Sequence, residues 1–244
     1  MFANLRAKIF IRLMQRFGHI NRYTLAAEYL IGTGIEIGAM DYPLPVKNGV
    51  KVKYLDRCTK DESAKIFPDL KSKLVDVDIL DDGETLFKLK NEEYDFVIAN
   101  HFLEHCQNPI YTIKNILRVV KRGGVIFMAI PDKRYTFDKD REVTTSEHLI
   151  KDFENGSSNS EEFHYYDFVS KTSHGKGKTE EEITVKINEL KERNFSIHFH
   201  VWDHQAMLDM FIMLKNKYEL KFEIQAAVSA SSSGNESVFV LKKW

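Results

Sequence analysis

Apolar positions along this chain fall into two rhythms. Short apolar runs bounded by turn residues occur at Gly34–Ala39, Val50–Leu55, Leu74–Leu80, Tyr94–Ala99 and Val125–Ile130. Runs of that length and composition predict strands. The fourth, YDFVIA, is mostly apolar and therefore expected near the middle of a sheet. Between them the spacing turns helical. Asn21 is a good N-cap for a helix reaching about Leu30. Short helices are expected over Ser63–Leu70 and Glu84–Lys90. A longer one runs from Asn108-Pro109 to Val120, with Ile113, Ile116, Leu117 and Val120 on one face. Lys121-Arg122-Gly123-Gly124 closes it with cations and then glycine. Strand, crossover and strand in repetition imply a parallel sheet with helices on both faces.

The rhythm breaks between Asp132 and about Phe199. This stretch is charged and carries loops at Gly156–Ser160 and His174–Lys178. Helices are expected over Thr145–Phe153, Glu161–Lys171 and Glu180–Arg193. In the last of these, Ile183, Ile187 and Leu190 form the packed side and the Glu- and Lys-rich remainder a solvated face. The stretch reads as a lid-like insertion over the C-terminal edge of the sheet. A helix over Asp203–Tyr218 restores the pattern, and strands at Leu220–Ala227 and Ser237–Lys242 follow, joined by a loop at Ser229–Ser233. The expectation is an α/β protein with seven strands, mostly parallel. Residues 1–30 supply N-terminal helices packed on the core, 31–132 and 200–244 the main domain, and 133–199 an acceptor-side insertion.

At the N-terminus Phe2, Leu5, Ile9, Leu13 and Phe17 recur at helical spacing. Arg6, Lys8, Arg12 and Arg16 interrupt the apolar stretch, so it is not built like a signal peptide. An amphipathic helix results, either packed on the domain or touching a partner or anionic lipid. No stretch approaches the roughly 20 apolar residues that span a bilayer. The 244 residues suit one α/β domain with an insertion, and 43% hydrophobic with 29% charged residues suit a globular core. A net charge of -1 provides no global field for nucleic acid. Two cysteines, Cys58 and Cys106, give no disulfide framework and fit a reducing cytoplasm. The chain carries no signal of oligomeric state.

In open parallel sheets ligands bind beyond the C-terminal ends of the strands. Those ends carry Glu36, Ile37, Gly38 and Ala39; Asp56; Asp78 and Ile79; Asn100 and His101; and Pro131 with Asp132. Polar, mostly acidic residues thus recur after apolar strands. Glu36 sits inside such a run, where a carboxylate is costly unless paired; a ligand across the strand end is one partner, and solvent is the other.

This row resembles the class I S-adenosylmethionine (SAM)-dependent methyltransferases. Glu36-Ile37-Gly38 looks like their first motif, Asp56 like the acid that binds the ribose hydroxyls, and Asp78-Ile79 like the adenine-contacting pair. Asn100–His105, NHFLEH, is similar to their fourth motif, which often ends Leu-Glu-His. The resemblance covers residues 31–132 well and the last 45 loosely. It implies a Rossmann-like fold and SAM as cofactor, held by Glu36, Ile37, Gly38, Ala39, Asp56, Asp78, Ile79, Asn100 and His101. Ala39-Met40 stands where the family has a further glycine. The nicotinamide fingerprint GxGxxG is missing, which disfavours a dehydrogenase. GIEIGAMDYPLP, NHFLEHCQNP and IPDKRYTFDKDREVTTSEHL also look like methyltransferases encoded among capsule and cell-surface polysaccharide genes. That likeness implies a small sugar- or phosphate-containing precursor as acceptor and methyl transfer to oxygen. The altered first loop leaves a non-catalytic SAM-binding partner protein as the alternative.

Methyl transfer needs the acceptor oxygen relieved of its proton, and a neutral histidine suits that task. His101, His105, His200 and Asp132 are the candidates. His101, Glu104 and His105 form HxxEH, and on a helix all three share a face. His198 and His200 point to one side if their segment is extended. Small-RNA 2′-O-methyltransferases are similar in binding a metal through an ExxEH segment and a distant histidine. By that resemblance a divalent metal is held by His101, Glu104, His105 and His198 or His200. The other reading makes Leu103-Glu104-His105 the ordinary family segment, without metal. Lys133, Arg134, Arg141 and His148 are either a binding patch for an acceptor phosphate or carboxylate, or a solvated loop.

Overall fold

The computed structural model describes residues 20–244. The helix expected over Phe2–Phe17, and the lipid- or partner-facing surface with it, lies outside the described residues. Helix α1 (Arg22–Tyr29) is capped by Asn21, whose side chain accepts from the Tyr23 and Thr24 amides. Strands β1 (Thr33–Ile37), β2 (Lys51–Asp56), β3 (Ile79–Leu80), β4 (Tyr94–Ile98) and β5 (Val120–Pro131) follow, with α2 (Lys60–Ile66) after β2 and α3 (Pro109–Val119) after β4. Asn108 caps α3. Helices α4 (Ser146–Asn155), α5 (Glu161–Lys171) and α6 (Glu180–Glu192) build the insertion. Helix α7 (His204–Tyr218), β6 (Phe222–Val228), the short α8 (Ala230–Ser233) and β7 (Glu236–Lys243) complete the order.

The strands form one sheet in the order β3-β2-β1-β4-β5-β7-β6. Strands β1 to β5 pair in parallel, and β7 runs antiparallel between β5 and β6. The expected seven-stranded, mostly parallel Rossmann-like sheet is what forms. Alternating side chains divide the core. Ile35, Ile37, Val97, Ile126 and Met128 pack on one face with α3 and α7, and Phe96, Ile98, Phe127 and Ala129 on the other with Leu25 and Ala26 of α1. All of these are under a tenth exposed, so β1, β4 and β5 read as continuous apolar runs.

Several expected elements differ: Lys121–Gly124 lie in β5 and not at the helix end, and the helix expected over Ser63–Leu70 is α2 followed by a 3-10 turn at Pro68–Leu70. The third strand shrinks to Ile79–Leu80. Before it, the Asp78 carboxylate accepts the Tyr54 amide at 2.8 Å, taking a donor that strand pairing would use, and Val75 donates to the Met40 carbonyl. Residues 84–90 form turns and no helix. Their carbonyls are taken by α3: Arg118 donates to Leu86 and Leu89, and Asn115 to Glu84. The expected loop at Ser229–Ser233 contains the single helical turn α8.

In the insertion Tyr165, Phe168, Val169, Ile183, Ile187 and Leu190 pack with Ile197 and Phe199 in a separate apolar cluster. Beside it, buried Arg141 donates to Asp138 at 2.8 Å, to Asp167 at 2.7 Å and to the His198 carbonyl at 2.9 Å. Of the two readings of Lys133, Arg134, Arg141 and His148, the anion-binding patch is therefore not formed. Arg141 is enclosed by carboxylates, Arg134 pairs with Asp132 at 2.6 Å, Lys133 donates to the Lys139 carbonyl, and His148 lies among other histidines.

Candidate active site

A cavity of about 690 Å³ opens at the C-terminal ends of β1, β2 and β4. Ile37, Gly38 and Met40 from the end of β1, with Asp56 and Arg57 from the end of β2, line one side. Asp82 and Gly83 follow β3, His101, Phe102 and His105 follow β4, and Arg193–Ser196 close the side facing the insertion. The size falls in the range of small-molecule sites.

The loop after β1 turns through left-handed backbone twice. Gly38 has φ 64 and Met40 φ 50. A Cβ built on Gly38 meets no atom within 4 Å, so the backbone there is open to a ligand. Met40 takes the left-handed conformation itself, where glycine was expected. Gly83 has the opposite constraint: a Cβ would stand 2.7 Å from both Ile37 Cγ2 and Phe102 Cζ.

Of the expected cofactor residues, Ile37, Gly38, Asp56 and His101 line this cavity. The Asp56 carboxylate accepts the Cys58 amide at 3.1 Å, which fixes its rotamer at the strand end. Burial raises its pKa, partly offset by backbone hydrogen bonds from Cys58 and Arg57. The other expected residues turn elsewhere. Glu36 is 1% exposed, and the Leu44 amide donates to both its oxygens at 3.1 and 3.0 Å. Its partner is the Leu44 amide, in the polypeptide after the first loop. Burial pushes its pKa up to about 7, against the Leu44 hydrogen bond and the nearby Arg22 charge. Ala39 turns its carbonyl to the Tyr42 amide. Asp78 is held by Tyr54, and Ile79 is packed against the apolar core; the wall after β3 is built by Asp82 and Gly83 instead. Asn100 accepts the Ala129 amide at 3.0 Å, tying β4 to β5.

The candidate bases separate as sharply. His101 has φ 47, and its Nε2 donates to Glu236 of β7 at 2.7 Å. Burial works against a charged ring there, but the Glu236 hydrogen bond and the Glu104 and Glu236 charges outweigh it and raise its pKa. His105 is the reverse: burial, then the His198 charge, pushes its pKa down to about 4. Its Nδ1 donates to the Ile197 carbonyl at 2.9 Å, which leaves Nε2 with a lone pair. Asp132 and His200 fall outside the cavity wall. Arg134 and the His204 amide donate to Asp132, and against burial the Arg134 bonds hold its carboxyl below the usual range. His200 is wholly buried, and burial holds it neutral.

HxxEH does not form a helix: only Leu103–His105 makes a 3-10 turn. Glu104, His105 and His198 nevertheless converge, with their potential ligand atoms within 4.8 Å of one another. His198 Nδ1 pairs with Asp138 at 2.7 Å, and both oxygens of Glu104, 2% exposed, lack a hydrogen-bond donor among the described residues. His101 Nδ1 lies 3.7 Å from Glu104, and His200 joins a different group with His148, Asp152 and His164. His198 and His200 thus serve separate clusters, because residues 195–201 are not a strand. Glu236, Asp138, Arg57 and Asp82 were missed as site residues. Only Asp82 carried a signal, its place in the Asp-Gly turn after β3; Glu236 is separated from His101 by 135 positions.

Comparison with known proteins gives the same domain. Residues 32–128 match a family model described as a methyltransferase domain. Over these residues the chain is similar to a methyltransferase domain. This stretch contains Gly38, Asp56 and the NHFLEH segment, and the cavity borders it. An uncharacterized protein of Methanocaldococcus jannaschii is 36% identical over 106 residues, 42% of this chain and 46% of its own length. The match therefore spans just under half of that relative. Among solved structures, a SAM-dependent methyltransferase of Thermotoga maritima is 15% identical with a TM-score of 0.49, covering 98% of this chain and 96% of that one. A Rhodobacter sphaeroides protein described as a zinc-dependent alcohol dehydrogenase is 13% identical with a TM-score of 0.51, covering 91% and 88%. That likeness concerns the fold alone. Dinucleotide-binding sheets end in the order 4-5-6, whereas the sheet here continues β4-β5-β7-β6 with β7 antiparallel.

No helix among the described residues is long and apolar enough to cross a membrane.

Proposed function

We propose that the protein transfers a methyl group from SAM to an oxygen of a small acceptor. The observation that carries this reading is the juxtaposition in one cavity wall of Gly38, Asp56 and His105. Asp56 suits the two ribose hydroxyls, since one carboxylate accepts both. Gly38 suits close approach of the methionine part, because its backbone is open there. Exposed Ile66 and Phe67 flank the Asp56 end and suit a flat purine. When bound, SAM supplies an electrophilic methyl on sulfonium. His105 Nε2 accepts the acceptor's proton, with the ring oriented by Ile197 and kept neutral by burial. Residues 133–199 form the acceptor side, and Arg193–Ser196 bring that side into the wall. The acceptor is a sugar- or phosphate-containing precursor of a capsule or surface polysaccharide, a reading that rests on the sequence resemblance.

Calorimetric titration with S-adenosylhomocysteine tests the cofactor assignment. Asp56→Ala is expected to weaken binding about 10- to 100-fold, the worth of a charge-assisted hydrogen bond. No binding by the unaltered protein at millimolar ligand overturns both catalysis and the alternative of a non-catalytic SAM-binding partner. Binding without turnover of any surface-sugar precursor favours the latter.

A second reading is favoured by Glu104, whose two buried oxygens lack donors among the described residues and lie beside two imidazoles. Glu104, His105 and His198 would hold a divalent metal, with Ile197 and Asp138 fixing the rings from behind. The chemistry such a metal would supply is Lewis-acid polarisation of the acceptor hydroxyl. Chelator-sensitive turnover restored by added metal, and lost in Glu104→Gln, supports it; turnover indifferent to chelator removes it.

A further inference from the structure

A second polar group is buried away from the cavity. His148 and Asp152 lie on α4, His164 on α5, and His200 on the segment leading to α7. None of them lines the cavity. His148 Nε2 is 3.2 Å from His164 Nε2 and 3.1 Å from Asp152 Oδ2, and His164 Nε2 is 3.6 Å from the same oxygen. Two donors bound tetrahedrally at zinc distances stand about 3.3 Å apart. The three measured edges bracket that value.

The fourth donor is His200. Its Nε2 lies 3.4 Å from the Gln107 carbonyl, its hydrogen-bond acceptor, so the lone pair is on Nδ1. That Nδ1 is fully buried and has no partner among the described residues, and the ring centroid is 4.7 Å from that of His164. Asp152 Oδ2 is likewise buried and faces two imidazoles, His148 at 3.1 Å and His164 at 3.6 Å, while Ser160 donates to its other oxygen. Potential ligand atoms of all four residues lie within 4.8 Å of one another. Burying an unpartnered ring nitrogen beside two further imidazoles and a carboxylate is unfavourable without a cation to bind them.

We propose that His148, Asp152, His164 and His200 form a four-coordinate zinc site that fastens the insertion to the sheet domain. Three imidazoles and one carboxylate with no open position suit a structural ion more than a catalytic one. Ser160 and Gln107 are the outer partners that orient two of the ligands. The site is independent of methyl transfer and of the Glu104 group.

The test loads chelator-stripped full-length protein with Co²⁺ or Zn²⁺ alone. A Glu104→Gln/His198→Ala variant removes the cavity group. It is expected to bind one Co²⁺ per chain with the intense visible absorption of four-coordination, and to melt at a higher temperature with Zn²⁺. His164→Gln and Asp152→Asn are each expected to weaken binding by about tenfold or more. Far-ultraviolet circular dichroism checks that each variant is folded. Metal binding retained in folded His164→Gln and lost in the cavity variant overturns the proposal. So does failure of the unaltered protein to take up either metal.

Discussion

His105 Nδ1 stands 2.9 Å from the carbonyl oxygen of Ile197, 92 residues further along the chain. One hydrogen bond from the end of the insertion thus sets the tautomer of a ring in the wall beside Gly38 and Asp56. The neutral ring is favoured by folding, and its pKa is pushed down to about 4. As a base His105 is available above that pH. Turnover is therefore expected to stay level from neutral pH down to about 5.5 and to fall as pH drops through about 4, with no step near the ordinary histidine value of about 6.5. His105→Asn should lower kcat by about 10²- to 10⁴-fold with unchanged S-adenosylhomocysteine affinity. A pH–rate profile with a limb near the ordinary value contradicts the assignment.

Glu36 carries a pH signature of its own. Its folded pKa, pushed up to about 7, lies above the unfolded value. A raised pKa contributes stability that is complete below the unfolded value and lost as pH rises through about 7. Glu36→Gln keeps an acceptor for the Leu44 amide without the charge. Relative to the unaltered protein it should gain on the order of 2–3 kcal/mol at pH 8.5 and little at pH 4. Urea unfolding at the two pH values measures the difference.

Arg141 joins Asp138 and Asp167 in a place where all three are nearly buried. Arg141→Leu leaves two carboxylates without their cation, and removing one partner of such a group costs about 3–5 kcal/mol. The expected result is a large drop in urea midpoint. Because Asp138 also holds His198, the variant should lose metal affinity at the Glu104 group as well. A variant as stable as the original refutes the role.

Met40 tests the first loop. An L-residue in left-handed backbone costs about 1–2 kcal/mol, while glycine loses about 0.5–1 kcal/mol more on ordering. Met40→Gly is therefore expected to unfold at the same urea concentration or slightly higher. Met40→Val, branched at Cβ, should unfold earlier. Equal effects of the two would mean that the left-handed turn is not retained.

Most of the architecture was legible because its signals are local. Val97 and Ile126 belong to apolar runs, and Asn21, Asn108 and Asp203 cap helices by their own side chains. That Asp56 and His101 line the cavity was legible from their places at strand ends. Asp78 was not: its carboxylate replaces a backbone partner of β2, a choice made between strands. Glu36 was legible as an anomaly but not in its resolution, because Leu44 comes near it only once the two-proline loop folds back. The pairings His101–Glu236 and His198–Asp138 join residues 135 and 60 positions apart, beyond any spacing rule. His148 and Asp152, four apart on one helix, were the exception that spacing alone would have offered.

Strand β7 follows the other six in sequence, yet it occupies the place between β5 and β6. During synthesis the edge of β5 from Val125 to Pro131 therefore waits for the segment from Glu236 to Lys242. Until that segment arrives, a long apolar edge stays open, the kind that pairs with other chains. The same arrival delivers Glu236 to His101. Completion of the sheet and completion of the histidine's surroundings are thus one event, and a nascent chain gains both together or neither.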